Sequence, residues 1–327
     1  MPLSPDPLIA HTQNKGGARK LQVDGPRYLD TKTTKGVNMA EASDIDLKSS
    51  FSHFVGRTRE RTDLIDLNRA LALHAALGIK SPEPREGTAL SPLGHWVYFW
   101  ECNSHNEMGP DGHPHRGDFL PPIPFPRRMW AGSRVRFLEP LRVGSNAWRR
   151  SRIKDVKITS GRSGRLAIVT VGHEIGQSDS TAIEDEQDII YRDGSINSAN
   201  APIEHERQES ASVERVVKPD EVLLFRYSAL TYNAHRIHYD RDYAVGQEGY
   251  PGLVVHGPLL ATLMLQCASE LQPSGTVRSF DFRAHSPIFD LNKCCIGARA
   301  SSSTRDSVDT WIHDHRGALA FKGVASF

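Results

Sequence analysis

Residues 225–265 read FRYSALTYNAHRIHYDRDYAVGQEGYPGLVVHGPLLATLML, and the order of features in them decides the fold. The apolar run Val222–Ser228 predicts a strand. It passes into a polar loop, Thr231–Asp240, that carries Thr231, Asn233, His235 and His238. A turn with tyrosine and glycine follows, and a helix is expected over about residues 256–270, opening at Val255-His256-Gly257-Pro258. The loop offers imidazoles that ionise near neutral pH. The helix start offers unpaired backbone N–H groups and the positive end of a dipole, which together can hold an oxyanion. Gly257 lets a substrate approach the backbone, and Pro258 suits the first helical turn. Asp240 is placed to cap a short helix beginning at Arg241.

Outward from this stretch, three more strands close the chain, near residues 276–284, 293–301 and 308–327. An earlier half, residues 46–176, carries similar ingredients. Thr62-Asp63 followed by Leu64, Ile65, Leu67, Ala70, Leu71 and Leu73 predicts a capped helix ending near Gly78. A strand is expected at His95–Trp100, then a loop rich in Gly, Pro and His from Cys102 to Pro126. Strands are read at residues 134–138, 152–158 and 166–173, the last two forming a hairpin through Ser160-Gly161-Arg162-Ser163-Gly164. Residues 177–215, acidic and serine-rich with one short strand at Asp188–Tyr191, read as a connector to the second half, 216–327. Residues 1–45 read as a flexible extension. The element order, one long helix with several antiparallel strands found twice, predicts two similar α+β modules.

With 327 residues, 38% of them hydrophobic, the chain can bury a large core. A formal net charge of +1 gives no global attraction to nucleic acid or to a membrane surface. Cys102, Cys267, Cys294 and Cys295 form no CxxC pair, and neighbouring Cys294 and Cys295 would face opposite sides of a strand, so no disulfide framework is expected. The longest apolar runs fall short of a bilayer span. These features point to the cytoplasm. A mitochondrial matrix location is the alternative, although Asp6, Asp24 and Asp30 sit poorly in a presequence.

The stretch resembles the signature of the MaoC-like, (R)-specific enoyl-CoA hydratases. There a strand leads to an Asp-x-Asn-Pro-x-His loop, and a His-Gly pair opens the helix. Asn233 matches the Asn, His238 in Ile237-His238-Tyr239-Asp240 matches the catalytic His, and His256-Gly257 matches the helix-opening pair. The chain departs twice from the pattern: Thr231 stands where the family has its Asp, and two extra residues separate Asn233 from His238, which makes His235 a rival for the His role. One subgroup shares these departures, the mesaconyl-C4-CoA (3-methylfumaryl-CoA) hydratases and the mitochondrial type 2 hydroxyacyl-thioester dehydratases. That likeness extends to Phe54-Val55-Gly56-Arg57-Thr58, Gly109-Pro110-Asp111-Gly112-His113 and Pro126-Arg127-Arg128-Met129-Trp130-Ala131-Gly132.

The resemblance implies a double hot-dog fold, in which each of two antiparallel sheets wraps a long helix. It implies one active site per pair, with the first half no longer catalytic. It implies a hydro-lyase that adds water to an enoyl thioester carried on CoA or on a carrier-protein pantetheine. No further cofactor and no metal are expected, an acyl-CoA is the partner, and a homodimer is compatible with the fold. A 3-hydroxyacyl dehydratase of lipid synthesis and a non-catalytic thioester-binding protein are the competing readings. In the hydratase reading His238 moves protons, Gly257 N–H polarises the thioester and Asn233 orients the water. Thr231 and His235 support them, and Glu248 is the first candidate for the missing carboxylate. Arg236, Arg127 and Arg128 are candidates for a substrate carboxylate, with Tyr98 and Trp130 as pocket walls.

The plainer readings stand beside these. His238 can be a loop histidine, His256 a packing residue, His235 a spectator and Asn233 a turn former. His113 and His115, and His313 and His315, read as solvated histidines for want of an acidic partner at ligand spacing. The glycines at 161 and 164 mark a turn and not a phosphate loop. Arg149, Arg150, Arg152 and Lys154 read as a solvated strand face that can also meet CoA phosphates.

Overall fold

The fold was obtained as a computed structural model that describes residues 44–161, 164–193, 210–302, 304 and 306–327. The elements in chain order are α1 (Asp44–Phe51), β1 (Thr58–Leu64), α2 (Leu67–Leu77), β2 (Arg127–Phe137), β3 (Asn146–Gly161), β4 (Gly164–Gln177), β5 (Ser180–Arg192) and β6 (Val213–Val217). They continue with α3 (Glu221–Thr231), α4 (Arg241–Gly246), α5 (Gly257–Ser269), β7 (Ser279–Ala284), β8 (Cys294–Ala300), β9 (Ser307–His313) and β10 (Leu319–Ser326). The extension expected over 1–45 lies outside the described residues except at its end, where Asp44 already begins α1.

All ten strands form one antiparallel sheet, ordered β1-β3-β4-β5-β2-β7-β10-β9-β8-β6. Counted inward from either edge, both halves place their strands as first, third, fourth, fifth, second. This is the duplication that element order alone predicts. The halves join where β2 pairs with β7, with Gly132 opposite Arg283 and Arg136 opposite Ser279. Gly132 is required there, because a Cβ would lie 2.3 Å from the carbonyl oxygen of Phe282.

The second half wraps α5, whose Leu259–Leu265 run, Cys267 and Ala268 are all buried. A helix apolar on every side must be enclosed. It packs on β6 to β10 and on β2. The first half differs from the expectation of a long helix in each sheet. Leu47 and Phe51 of α1, with Ile123 and Phe125 of the Pro-rich loop, close over Ile153, Val156, Val169 and Tyr191. No counterpart of α5 is found there among the described residues. The shorter α2 instead packs against α3.

Several local expectations are corrected. Thr62 and Asp63 end β1, paired with Trp148 and Ala147, and the helix starts four residues later, where Asp66 accepts a hydrogen bond from Arg69 N. Strand pairing claimed the expected cap, Thr62-Asp63. Gly78 does end the helix, at φ 57°. The run 222–228 belongs to helix α3, capped by Asp220. A short apolar run does not by itself distinguish strand from helix. His95–Trp100 is a 3₁₀ turn over Gly94–Val97 followed by irregular backbone. The connector begins later than 177, because Ser180–Arg192 is a full strand between β4 and β2. The final strand is two strands, turning at Asp314–Ala318. In β8, Cys294 is buried and Cys295 more exposed, as alternation requires. No helix among the described residues is long and apolar enough to cross a membrane.

Candidate active site

A cavity of about 1470 Å³ opens along α5, walled by both halves of the sheet. Its chemistry starts where α3 ends. Tyr232 takes a left-handed conformation, and Asn233 Oδ1 then accepts from His235 N at 3.0 Å, which bends the chain into a 3₁₀ turn, Arg236–His238. Asp240 caps α4 through Tyr243 N, as expected from the sequence. The turn carries His238 into the cavity wall.

The His238 ring is held by Nδ1, 2.7 Å from the carbonyl of Val254. A carbonyl only accepts, so Nδ1 carries the proton of the neutral ring and Nε2 keeps a free lone pair. Burial pushes the His238 pKa down to about 4, against an opposing hydrogen bond to the Val254 carbonyl and with a smaller lowering contribution from His113. At neutral pH this imidazole is an acceptor. It stacks on His256 with ring centroids 3.7 Å apart. The His256 Nε2 meets Ser228 Oγ at 2.8 Å, and burial holds His256 well below its usual pKa. Gly257, the next residue, begins α5 and lines the same cavity. A Cβ at Gly257 would sit 3.5 Å from the Trp130 ring, so the glycine is not imposed by protein packing.

A second cluster comes from the first half. Asp111 Oδ1 accepts from His113 N at 2.9 Å, and Oδ2 lies 3.2 Å from His113 Nδ1. Gly112, at φ 84°, is pressed so close to Ala234 that a Cβ would lie 1.8 Å from its carbonyl oxygen. Arg236 N donates to the Asp111 carbonyl at 2.9 Å. This contact sets the ring of His113 at 4.1 Å from that of His235, which is 5.5 Å from that of His238. Burial alone would raise the Asp111 carboxyl, but the hydrogen bond and charge interaction with His113 hold it well below the usual carboxylate range. Burial and the neighbouring Arg128 lower His113, and burial with His113 and His238 lowers His235. His113 is therefore no solvated histidine, and its acidic partner stood two residues away. His115 is exposed. Asp111, His113 and His235 present donor atoms within 4.8 Å of one another.

The other sequence candidates separate. Arg128 and Trp130 line the cavity. Arg128 has no hydrogen bond or ion pair among the described residues, whereas Arg236 is tied to Asp240 and Pro110, and Arg127 to Glu248. Neither of those arginines, nor Glu248, is part of the cavity wall. Glu248 also accepts from Tyr243 Oη. Tyr98 is a core residue whose hydroxyl donates to the Asp66 carbonyl. Thr231 lines the cavity, but its hydroxyl donates back to the Tyr227 carbonyl at 2.8 Å. Asn233 serves the turn. Sequence reasoning missed Asp185, buried in the far wall, whose carboxylate accepts from Trp96, Gln187 and Ser133 and adjoins His95. It also missed that Arg149 turns inward while Arg150, Arg152 and Lys154 face solvent.

The sequence profile of the hydroxyacyl-thioester dehydratase type 2 family matches residues 93–290, which span both clusters. The chain belongs to this family. It is a hydro-lyase with the double hot-dog architecture. The chain is 47% identical to a mesaconyl-C4-CoA hydratase of Chloroflexus aurantiacus over 83% of its own length and 95% of that protein. It is 28% identical to the mitochondrial hydroxyacyl-thioester dehydratase type 2 of Schizosaccharomyces pombe, over 62% of this chain and 75% of the other. Among solved structures, a MaoC-like dehydratase from Phytophthora capsici shares the fold of this chain, with a TM-score of 0.60 and 13% identity over 83% of this chain and 95% of that one.

Proposed function

We propose that this enzyme hydrates mesaconyl-C4-CoA or a closely similar branched C4 dicarboxylic enoyl-CoA. The carrying observation is that a neutral imidazole with a free Nε2 and the opening turn of a buried helix share one cavity. The thioester oxygen accepts from Gly257 N–H, where one such donor is worth about 3 kcal/mol in the transition state. Water oxygen bonds to the β-carbon, the C=C electrons pass to the thioester oxygen, and a water proton goes to His238 Nε2. That proton then returns to the α-carbon as the enolate collapses, so one water is consumed and His238 is regenerated.

In 3-methylfumaryl-CoA the β-carbon itself bears the free carboxylate. Its cation must therefore sit beside the proton-handling groups. Arg128 meets that need, being unpaired among the described residues and near enough to depress His113 and His235. The relative at 47% identity supports the same substrate.

The test is the loss of enoyl absorbance with mesaconyl-C4-CoA, itaconyl-CoA and crotonyl-CoA. Mesaconyl-C4-CoA is expected to show the highest kcat/KM. Arg128→Met is expected to raise KM for it by about 10-fold or more, since charged hydrogen bonds contribute about 1.5–3 kcal/mol, and to leave crotonyl-CoA unaffected. A preference for crotonyl-CoA would replace this reading with a straight-chain dehydratase.

A further inference from the structure

We infer that the first half of the chain is a partner in the chemistry: His113, oriented by Asp111, holds the reacting water and takes over the task of the carboxylate absent at Thr231. This rests on the hydration reading above and extends it. His113 is the catalytic residue in this role, and Asp111 is its positioning residue.

The argument is geometric. The loop 109–113 does not merely pass the active site. Gly112 against Ala234, and Asp111 and Pro110 accepting from Arg236, clamp it to the turn that carries His235 and His238. The Asp111 carboxylate accepts a hydrogen bond from the Nδ1–H of His113, which leaves the His113 Nε2 lone pair as acceptor. Both His113 and His238 line the cavity, on either side of His235. Water bound between two such lone pairs gives one hydrogen to each. The hydrogen toward His238 is transferred to Nε2 and then to the α-carbon. The oxygen, with the hydrogen toward His113, becomes the β-hydroxyl. The carboxylate also offsets the positive charge that His238 gains. Thr231 cannot do this, because its hydroxyl is spent on the Tyr227 carbonyl. The charged and titratable groups facing His113 are Asp111, Arg128, Arg116, His235 and His238.

The experiment compares wild type, Asp111→Asn, His113→Gln and the double variant on mesaconyl-C4-CoA and crotonyl-CoA across pH, with thermal unfolding as the control for folding. His113→Gln is expected to lower kcat at least about 10-fold with little change in KM. Asp111→Asn keeps the turn but removes the charge that raises the His113 pKa, so the acid limb of kcat moves to lower pH. The double variant is expected to be no slower than His113→Gln alone, because Asp111 works through His113. In parallel, ¹⁵N NMR of the His113 ring is expected to show an Nδ1–H tautomer and a lower titration point in Asp111→Asn. Wild-type kcat and pH profile in a folded His113→Gln would overturn the inference. So would activity lost on EDTA dialysis and restored by zinc, which would make Asp111, His113 and His235 a metal site. If wild type turns over none of the thioesters, the hydration reading fails, and the NMR still decides whether Asp111 and His113 act as one unit.

Discussion

His238 shows how one backbone contact fixes a chemical role. The Val254 carbonyl assigns the proton to Nδ1, and burial keeps the ring neutral, so Nε2 is a base at physiological pH. His238→Gln is expected to lower kcat by about 100- to 10,000-fold, the range for general acid–base groups, with the circular dichroism spectrum unchanged. Because its pKa is pushed down to about 4, the acid limb of kcat/KM assigned to His238 should fall well below the ordinary histidine value; a limb near 6.5 would assign that titration to another group. Gly257→Ala makes a complementary probe. The methyl fits against Trp130, yet it adds bulk beside the amide that the proposed mechanism uses. It should leave the melting temperature near wild type and reduce kcat/KM on the order of 100-fold, as small displacements at a reacting centre do.

Among the elements, the most informative is the loop that has no regular structure. The contact of Gly112 with Ala234 brings a first-half loop onto a second-half turn, at a distance that leaves no room for a side chain. Gly112→Ala would introduce both a clash and an unfavourable positive φ. It should reduce activity more than Asp66→Ala, which removes the cap of α2 and an ion pair with Arg69 and should cost about 1–2 kcal/mol of stability with activity intact. Unfolding and turnover measured on both variants check this ordering. In the second half β7, β8 and α5 were legible because their apolar runs are bounded by Gly, Pro and polar residues, whereas β6 overlaps the segment read as a connector and β9 and β10 read as one strand. α3 and β1 were not legible, because a short apolar run such as 222–228 suits helix or strand alike, and Thr62-Asp63 resembles a helix cap until Trp148 and Ala147 pair with it. The Asp111–His113 pair stood in the quoted phrase Gly109–His113, but its partner His235 lies in the other half.

At the scale of the molecule, one sheet of ten strands sets the cavity between its halves, and the cavity gathers histidines that burial keeps neutral. His113, His235, His238, His256 and His173 all have depressed pKa values, with His173 at about 4. The unfolded chain binds these protons below about pH 6.5 while the folded chain refuses them. Stability is therefore full above that pH and is lost as pH falls toward 4, by on the order of 3 kcal/mol for His238 alone. Asp111 and Asp185, held below the carboxylate range, add losses at still lower pH. Urea unfolding at pH 7.5, 6.0 and 5.0 should show a steadily falling midpoint; a flat profile would mean that these rings are hydrated in solution.

By itself the sequence determined the first-half hairpin of residues 152–173, the buried helix with its glycine start and the family to which they belong. These depend on local periodicity and on side chains close along the chain. Only the tertiary structure decided which arginine lines the cavity, that Glu248 and Tyr98 do not, and that a first-half carboxylate stands behind a cavity histidine. Those outcomes follow from strand pairing and from a single glycine–carbonyl contact, and interactions between distant segments leave no period in a sequence.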